Sequence, residues 1–467
     1  MSEGITLYST LSHAKETLQP GPDGAVRIYF CGPTVYAPIH IGNARPYVVF
    51  MVLKRYLERR GIRVVLASNL TDVNDKIYAA ADAAGIGSEA LARQMSDAYV
   101  RDTDRLGLGR PDLEPRVTTS VPEIVDLIGR LVDGGLAYPA AGDVYFRVAA
   151  FPDYGALSGR RTDELESTDP GEGKEDPLDF ALWKGRKEDE DTWWESPWGP
   201  GRPGWHIECS AMAGSALGDQ IQIHGGGIDL VFPHHENEIA QSEGATGTQF
   251  AQIWMHNEML ELSGDKMSKS EGNISLLSEV LDRWPAEVVV TYFLSSHYRS
   301  RLPFSDERMA DAHAVDARLR NAVRTLDRAV ATAGPGYDTD LAGAVVEARW
   351  SFFAVLDDDF NTPEAFASLF ELVKAVNQAV ATGTAGADQL REVRREMVDL
   401  LDVFGLAGLA DGGTAPAVPG EVLDLLEQRQ EARAARAFDR ADELRDAIAE
   451  RGFDVMDTAE GPQVYPR

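Results

Sequence analysis

Apolar residues run nearly unbroken through Val26-Arg27-Ile28-Tyr29-Phe30 and again through Val64-Val65-Leu66-Ala67. Short continuous runs of this kind predict strands buried on both faces, as in a parallel sheet. Between them, from about Asn43 to Glu58, Val48, Phe50, Met51, Leu53 and Leu57 recur at helical spacing, and Gly61 supplies a stop. Strand, helix and strand in that order form the unit of a doubly wound α/β sheet. Residues 1–116 therefore read as the first half of a Rossmann-like domain.

From 117 to 199 the periodicity loosens. Asp163 through Pro177 is acidic and rich in Gly and Pro, and Trp193, Trp194 and Trp198 follow. The stretch reads as an inserted connective domain. Regular pattern returns with Gln220-Ile221-Gln222-Ile223, a helix from about His235 to Glu243, and Gln252-Ile253-Trp254-Met255. The sheet's second half is thus expected at 200–260, followed by a connecting region at 261–315. A helical bundle at 316–405 comes next, in which Thr362 before Pro363 predicts a cap followed by a first-turn proline. Phe366, Leu369, Phe370 and Val373 follow at helical spacing. The final stretch, 406–467, reads as a Gly/Ala/Pro-rich linker and a small module. Leu423, Leu426, Phe438, Ala441, Leu444 and Ile448 mark its helices.

Composition narrows the class. The 467 residues are 44% hydrophobic, enough for a core in each of several domains. No apolar run reaches the roughly 18 residues of a membrane span, and Met1-Ser2-Glu3-Gly4-Ile5 does not resemble a signal peptide. The two cysteines, Cys31 and Cys209, are too few for a disulfide framework and suit a reducing cytoplasm. Nothing demands an oligomer, so a monomer is expected. The net charge of −30 argues against a nucleic-acid partner for the molecule as a whole. A local basic strip can survive such a balance, and Arg299, Arg301, Arg318, Arg320, Arg324 and Arg328 are its candidates.

Two short strings carry chemistry. His40-Ile41-Gly42-Asn43 stands where the first strand gives way to its helix, and a helix start offers free N–H groups and a positive dipole end to an anion. Lys266-Met267-Ser268-Lys269-Ser270 places two lysines three apart on a Ser- and Gly-rich loop, suited to holding a departing polyphosphate. Together they imply a site that activates a carboxylic acid with ATP. A third constellation is metal-like: Cys31, Cys209, and a helix start Pro233-His234-His235-Glu236-Asn237-Glu238. Two thiolates, one imidazole and one carboxylate make a four-coordinate zinc site. Spacing leaves His234 and His235 both open, being four and three residues from Glu238 on one helix face.

With these residues assembled, the chain resembles the cysteinyl-tRNA synthetases, class I aminoacyl-tRNA synthetases, nearly end to end. The strings include Phe30-Cys31-Gly32-Pro33-Thr34-Val35-Tyr36, Thr71-Asp72-Val73-Asn74-Asp75-Lys76 and Gly204-Trp205-His206-Ile207-Glu208-Cys209. Gly225 through Glu238, the lysine loop and Asp359-Phe360-Asn361-Thr362-Pro363-Glu364-Ala365 complete them. The resemblance implies one zinc per chain on Cys31, Cys209, His234 and Glu238. It implies ATP as substrate with Mg²⁺, and transfer of cysteine through cysteinyl-adenylate to the 3′ end of cysteine tRNA. His40, Asn43, Lys266 and Lys269 take the catalytic roles. ATP contacts fall on His40, Gly42, Asn43, Gly227, Asp229, Lys266, Ser268 and Lys269, and the amino-acid pocket on Thr34, Thr71 and Trp205. By the same resemblance the insertion meets the tRNA acceptor end and 261–315 contacts its stem. The bundle and C-terminal module bind tRNA toward the anticodon.

Zinc would also explain selectivity, because a soft thiolate is a far better ligand for it than serine's hydroxyl. The chain departs from the family where Asn43 replaces the usual histidine and where Asn74 replaces an acidic residue. Two other readings use the same motifs. One is an ATP-dependent ligase joining cysteine to an amino sugar, which has little need of the helical C-terminal half. The other is an inactive zinc-containing protein that binds cysteine or tRNA, which would bind without turnover.

Overall fold

The computed structural model describes residues 4–162, 173–262, 265–266, 275–410, 418–458 and 461–466. An antiparallel hairpin, β1 (Thr6–Ser9) and β2 (Ala14–Thr17), leads into the expected unit of β3 (Ala25–Phe30), α1 (Ile41–Arg59) and β4 (Arg63–Ser68). The strands β3 and β4 pair in parallel. The predicted apolar stripe of α1 is buried, and the helix starts two residues earlier than its periodicity suggests. Two further helices follow, α2 (Asp75–Ala84) and α3 (Ser88–Asp104). Asn74 is the cap of α2: its Oδ1 accepts the Lys76 N–H at 3.1 Å, a task asparagine performs as well as an acid.

The loosely patterned stretch is well structured. After α4 (Val121–Asp133), the strands β5 (Ala137–Ala140), β6 (Asp143–Phe146), β7 (Phe180–Gly185) and β8 (Gly201–Pro203) form an antiparallel sheet in that order. Strands this short show too little alternation to be read from periodicity. The first part of the predicted acidic loop, 163–172, lies outside the described residues.

The chain then returns to the first sheet through α5 (Trp205–Leu217), β9 (Ile221–Gly227), α6 (Glu236–Thr246) and β10 (Ala251–Asn257). The completed sheet is parallel throughout, in the order β10-β9-β3-β4. A π-type turn over Val231–His235 precedes α6. Next come β11 (Leu260–Leu262), β12 (Asp265–Lys266), α7 (Leu277–Arg283), α8 (Ala286–Leu294) and β13 (Leu302–Phe304); the three strands form a small sheet in the order β12-β11-β13.

The helical region consists of α9 (Asp306–Thr332), α10 (Thr339–Asp357), α11 (Thr362–Thr382) and α12 (Ala387–Val403). The cap of α11 is Asn361, one residue before the predicted Thr362. Asn361 Oδ1 accepts the Glu364 N–H, while Thr362 Oγ1 donates to the Leu294 carbonyl at 2.7 Å and ties α11 to α8. Part of the predicted linker, 411–417, lies outside the described residues. Beyond it, α13 (Gly420–Ala434) and α14 (Phe438–Ala449) precede a hairpin, β14 (Phe453–Thr458) and β15 (Gly461–Pro466), that the sequence pattern did not reveal. Val422, Ile448, Phe453 and Val455 make this module's core, whereas Leu423 and Phe438, read as marking its helices, are exposed.

One apolar cluster runs from the first sheet through α1 and α8 into the bundle, from Val26 to Leu406. A second joins the sheet's other face to the inserted segment through α4, α5 and α6. Among the described residues no helix is long and apolar enough to cross a membrane.

Candidate active site and metal cluster

Four parallel strands deliver their carboxyl ends to one cleft of about 320 Å³, the position at which open α/β sheets bind ligands. Cys31 follows β3, Thr71 lies just past β4, Gly227 ends β9 and Asn257 ends β10. The loops after β3 and β4 touch: a Cβ on Gly32 would lie 1.8 Å from the Asn69 carbonyl oxygen, so only glycine fits there. Gly32 N–H donates to Asn69 Oδ1 at 2.9 Å, and Thr34 and Thr71 pair as an isolated bridge.

The predicted ligands converge on the cleft floor. One donor atom from each of Cys31, Cys209, His234 and Glu238 lies within 4.8 Å of the others, and all four residues are buried. Glu238 Oε1 is 3.3 Å from Cys31 Sγ and 3.1 Å from His234 Nε2. A second grouping shares Cys31 and Glu238 but takes His224 and His235. The first grouping faces the cleft through Cys31, Cys209 and His234, whereas His224 and His235 lie beneath it and His235 Nδ1 is engaged at 2.7 Å with His256 Nε2. Burial pushes both thiols up, Cys31 further by the neighbouring Cys209 and Glu238, and burial drives His234 down. Packed together and away from water, the two thiols and the His234 imidazole resist carrying charge. A divalent cation would reverse that balance, and two soft sulfurs with one nitrogen and one oxygen suit zinc.

The pocket residues surround this floor. Trp205 stacks on the His234 ring at 4.5 Å between centroids, and Thr71 Oγ1 donates to buried Glu208 at 3.1 Å. Thr34, Thr71, Trp205, Gly227 and Asp229 all line the cleft, as do His40, Gly42 and Asn43 at its other end. His40 is the cap residue of α1, and Asn43 Oδ1 accepts the His40 N–H at 3.3 Å, a contact that holds the helix entry. The backbone of Ser275–Leu277 pairs with this entry: Ile41 N–H donates to the Ser275 carbonyl and Leu277 N–H to that of Ile39. Lys266 ends β12, while Ser268 and Lys269 lie outside the described residues. Lys266 thus stands on the small sheet, and Ser275–Leu277, the next described residues, pair with the backbone beside His40.

Several residues here escaped the sequence reading. His206 Nδ1 lies 3.0 Å from His234 Nδ1, and His224 Nε2 lies 2.8 Å from Glu238 Oε2. His206 stands three residues before Cys209 on α5, a spacing that could have flagged it. His224 follows Ile221-Gln222-Ile223 as a fully buried polar residue on β9, a weaker signal. The proposed basic strip is partly spent internally. Arg299 Nε donates to Asp359 Oδ2 at 2.9 Å, Arg301 Nη1 to Glu261 at 2.7 Å, and the Arg318 guanidinium lies over the Phe370 ring at 4.2 Å.

Comparison with known proteins accords with this geometry. The tRNA synthetases class I (C) catalytic-domain model matches residues 17–314. A DALR domain matches 351–408, and the cysteinyl-tRNA ligase anticodon binding domain matches 415–465. A cysteine–tRNA ligase of Symbiobacterium thermophilum is 45% identical over 469 residues, covering 98% of each chain. One from Geobacillus thermodenitrificans is 44% identical over 462 residues, again 98% of each. Among solved structures, Mycobacterium tuberculosis methionyl-tRNA synthetase in complex with methionyl-adenylate superposes with a TM-score of 0.63 at 18% identity. It covers 88% of this chain and 96% of its own, a likeness of fold.

Proposed function

This chain belongs to the cysteine–tRNA ligase family, and from that premise we propose how its residues divide the work. The protein is an aminoacyl-tRNA ligase for cysteine. Its first step, on this reading, is attack by the ionised carboxylate of L-cysteine on the α-phosphate of ATP with Mg²⁺, releasing pyrophosphate. Such a step asks for no protein nucleophile and no strong base; it asks for alignment and for stabilisation of charge growing on the phosphates. His40 and Asn43 at the start of α1, with Gly42 leaving room beside them, would meet the triphosphate from one side. Lys266, Ser268 and Lys269 would meet it from the other. Gly227 and Asp229 would face the ribose or the amino group, and Thr34, Thr71 and Trp205 would bound the amino acid.

Cys31, Cys209, His234 and Glu238 would hold one zinc ion. When bound, zinc supplies a soft cation that prefers sulfur to a hydroxyl oxygen, which pocket shape alone discriminates poorly. Glu238, the only oxygen ligand, is the member least suited to zinc and the one expected to loosen when substrate enters. The acyl group then passes to the 3′-terminal ribose of cysteine tRNA. The segment 117–199 would receive the acceptor end, 261–315 the stem, and 316–467 the body toward the anticodon. The enzyme is expected to act as a cytoplasmic monomer.

The observation that carries this reading is the donor cluster of Cys31, Cys209, His234 and Glu238, within 4.8 Å on the floor of the cleft that His40 and Asn43 also line. The test is attachment of cysteine to an unmodified cysteine-tRNA transcript with ATP and Mg²⁺, beside a non-cognate transcript. Transfer to the matched transcript alone is expected. Adenylate formation without transfer would favour the amino-sugar ligase, and absence of both the inactive binding protein.

A further inference from the structure

Arg45 lies in the first turn after Gly42 and Asn43, and its side chain is buried, with the residue 1% exposed. Among the described residues it forms no ion pair. Its guanidinium is instead committed to backbone carbonyls of two separate segments. Nη1 donates to Glu258 O at 2.6 Å and Met259 O at 3.4 Å; Nη2 donates to His297 O at 3.1 Å and Ser300 O at 2.8 Å. Burial lowers its pKa to about 10, which still leaves it charged at neutral pH. An unpaired buried cation is costly, and an apolar side chain would fill the space with less penalty. What the guanidinium adds is a rigid fork that fixes the angle and distance between three pieces of chain.

Those pieces matter for the site. Glu258 and Met259 line the cleft and lead directly into β11. The 297–300 loop leads into β13, which pairs in parallel with β11. β11 also pairs with β12, whose second residue is Lys266. One side chain on the helix of His40 and Asn43 thus sets the departure point of β11 and β13, the two strands of the sheet on which Lys266 lies.

We propose that Arg45 is a positioning residue for adenylate formation, fixing β11 and β13, and through β11 the backbone of Lys266 on β12, against the start of α1 through the carbonyls of Glu258, Met259, His297 and Ser300. The proposal rests on the phosphate role assigned above to the two lysines. Arg45 itself touches no substrate.

The test uses the full chain with Arg45→Met, which keeps apolar bulk, and Arg45→Lys, which keeps charge and part of the donor set. The measurements are ATP–pyrophosphate exchange, the KM for cysteine, zinc content, and single-turnover transfer from preformed cysteinyl-adenylate to tRNA. Misplacement of this order predicts a ~10²-fold fall in exchange kcat for Arg45→Met and an intermediate loss for Arg45→Lys. The cysteine KM, zinc content and transfer rate should stay near the parent's. A merely structural role would lower every step together, in proportion to the folded fraction. Lys269→Ala separates the two layers of argument. If Lys269→Ala leaves exchange intact, the reading of the lysines fails. If it lowers exchange to a reduced but measurable rate and adding Arg45→Met costs little more, the two act as one unit. Full multiplicative losses, or an Arg45→Met enzyme exchanging at the parent rate, would overturn the proposal. Should Arg45→Met fail to fold, Arg45→Lys alone decides by the same split between exchange and transfer.

Discussion

His224 Nε2 lies 2.8 Å from Glu238 Oε2, while the other carboxylate oxygen, Oε1, is the one near Cys31 and His234. The His224 ring is fixed in turn, because its Nδ1–H donates to the Tyr29 carbonyl at 3.1 Å. Glu238 therefore presents one oxygen to the metal cluster, and a proton between its other oxygen and His224 Nε2 would complete the contact that holds it. Partners of this kind orient a ligand, and their loss typically weakens metal affinity about 10–100-fold. His224→Asn should lower zinc affinity by that order, measured by competition with a chromogenic chelator. Affinity equal to the parent's would mean that Glu238 is oriented by the backbone of α6 alone, or is no ligand.

Cys209 offers the sharper test of selectivity. Its sulfur belongs to the grouping that faces the cleft and not to the deeper one with His224 and His235. Cys209→Ser should reduce bound zinc below one per chain and raise serine activation relative to cysteine, both read by metal analysis and pyrophosphate exchange with each amino acid. Unchanged zinc stoichiometry would remove Cys209 from the ligand set and favour the deeper grouping.

What the sequence revealed and what it hid follow from how each feature is encoded. The β3–α1–β4 unit was legible because long apolar runs and helical periodicity are local signals. The cleft-facing cluster was legible as residue types, and the structure adds which histidine faces the cleft: His234, with His235 beneath it. Arg45, His224 and Glu236 were not legible. Each acts on atoms far away in the chain, most of them backbone carbonyls or N–H groups that carry no residue identity. Of the strands between Ala137 and Pro203, β5, β6 and β8 were hidden because each spans only three or four residues, and β7, though as long as β3, carries its apolar run only from Phe180 to Trp183. Leu423 and Phe438 show the opposite error, apolar residues at plausible helical positions that the small module leaves on its surface.

Glu236 stands between two candidate ligands on one turn of chain, yet its carboxylate points the other way. Oε1 accepts the Gly155 N–H at 3.0 Å and that of Leu157 at 3.4 Å, and Oε2 accepts the Ser158 N–H at 2.8 Å. The residue is 1% exposed, so these donors have no ready water to replace it. Glu236→Gln would aim an amide N–H₂ at backbone donors, and a loss of about 1–3 kcal/mol is expected. Denaturant unfolding checks the magnitude, and faster proteolytic nicking near residues 150–162 checks the location. Parent-like stability in both assays would show that the loop is held by packing of Leu157 and its neighbours.

Asp316 makes stability depend on pH in the direction opposite to most carboxylates. Its Oδ1 accepts the Thr291 hydroxyl at 2.6 Å between α8 and α9, and among the described residues its Oδ2 has no hydrogen-bond partner. Burial raises its pKa from 3.8 to about 7, with Glu287 adding to the rise, while the Thr291 hydrogen bond and Arg320 oppose it. Unfolded, the same group titrates near pH 4. Below about pH 4 both states hold the proton and Asp316 contributes no pH dependence. Between about 4 and 7 the folded state keeps a proton that the unfolded state releases, so stability falls as pH rises, and above about 7 the full cost persists. That cost is on the order of a few kcal/mol. Asp316→Asn retains an acceptor for Thr291 and cannot ionise. The thermal midpoint of the variant should therefore climb relative to the parent from pH 4 to 7 and then level off. A difference that stays flat across this range would show that Asp316 reaches water or a counter-charge when it ionises, and that α8 and α9 open enough to solvate it.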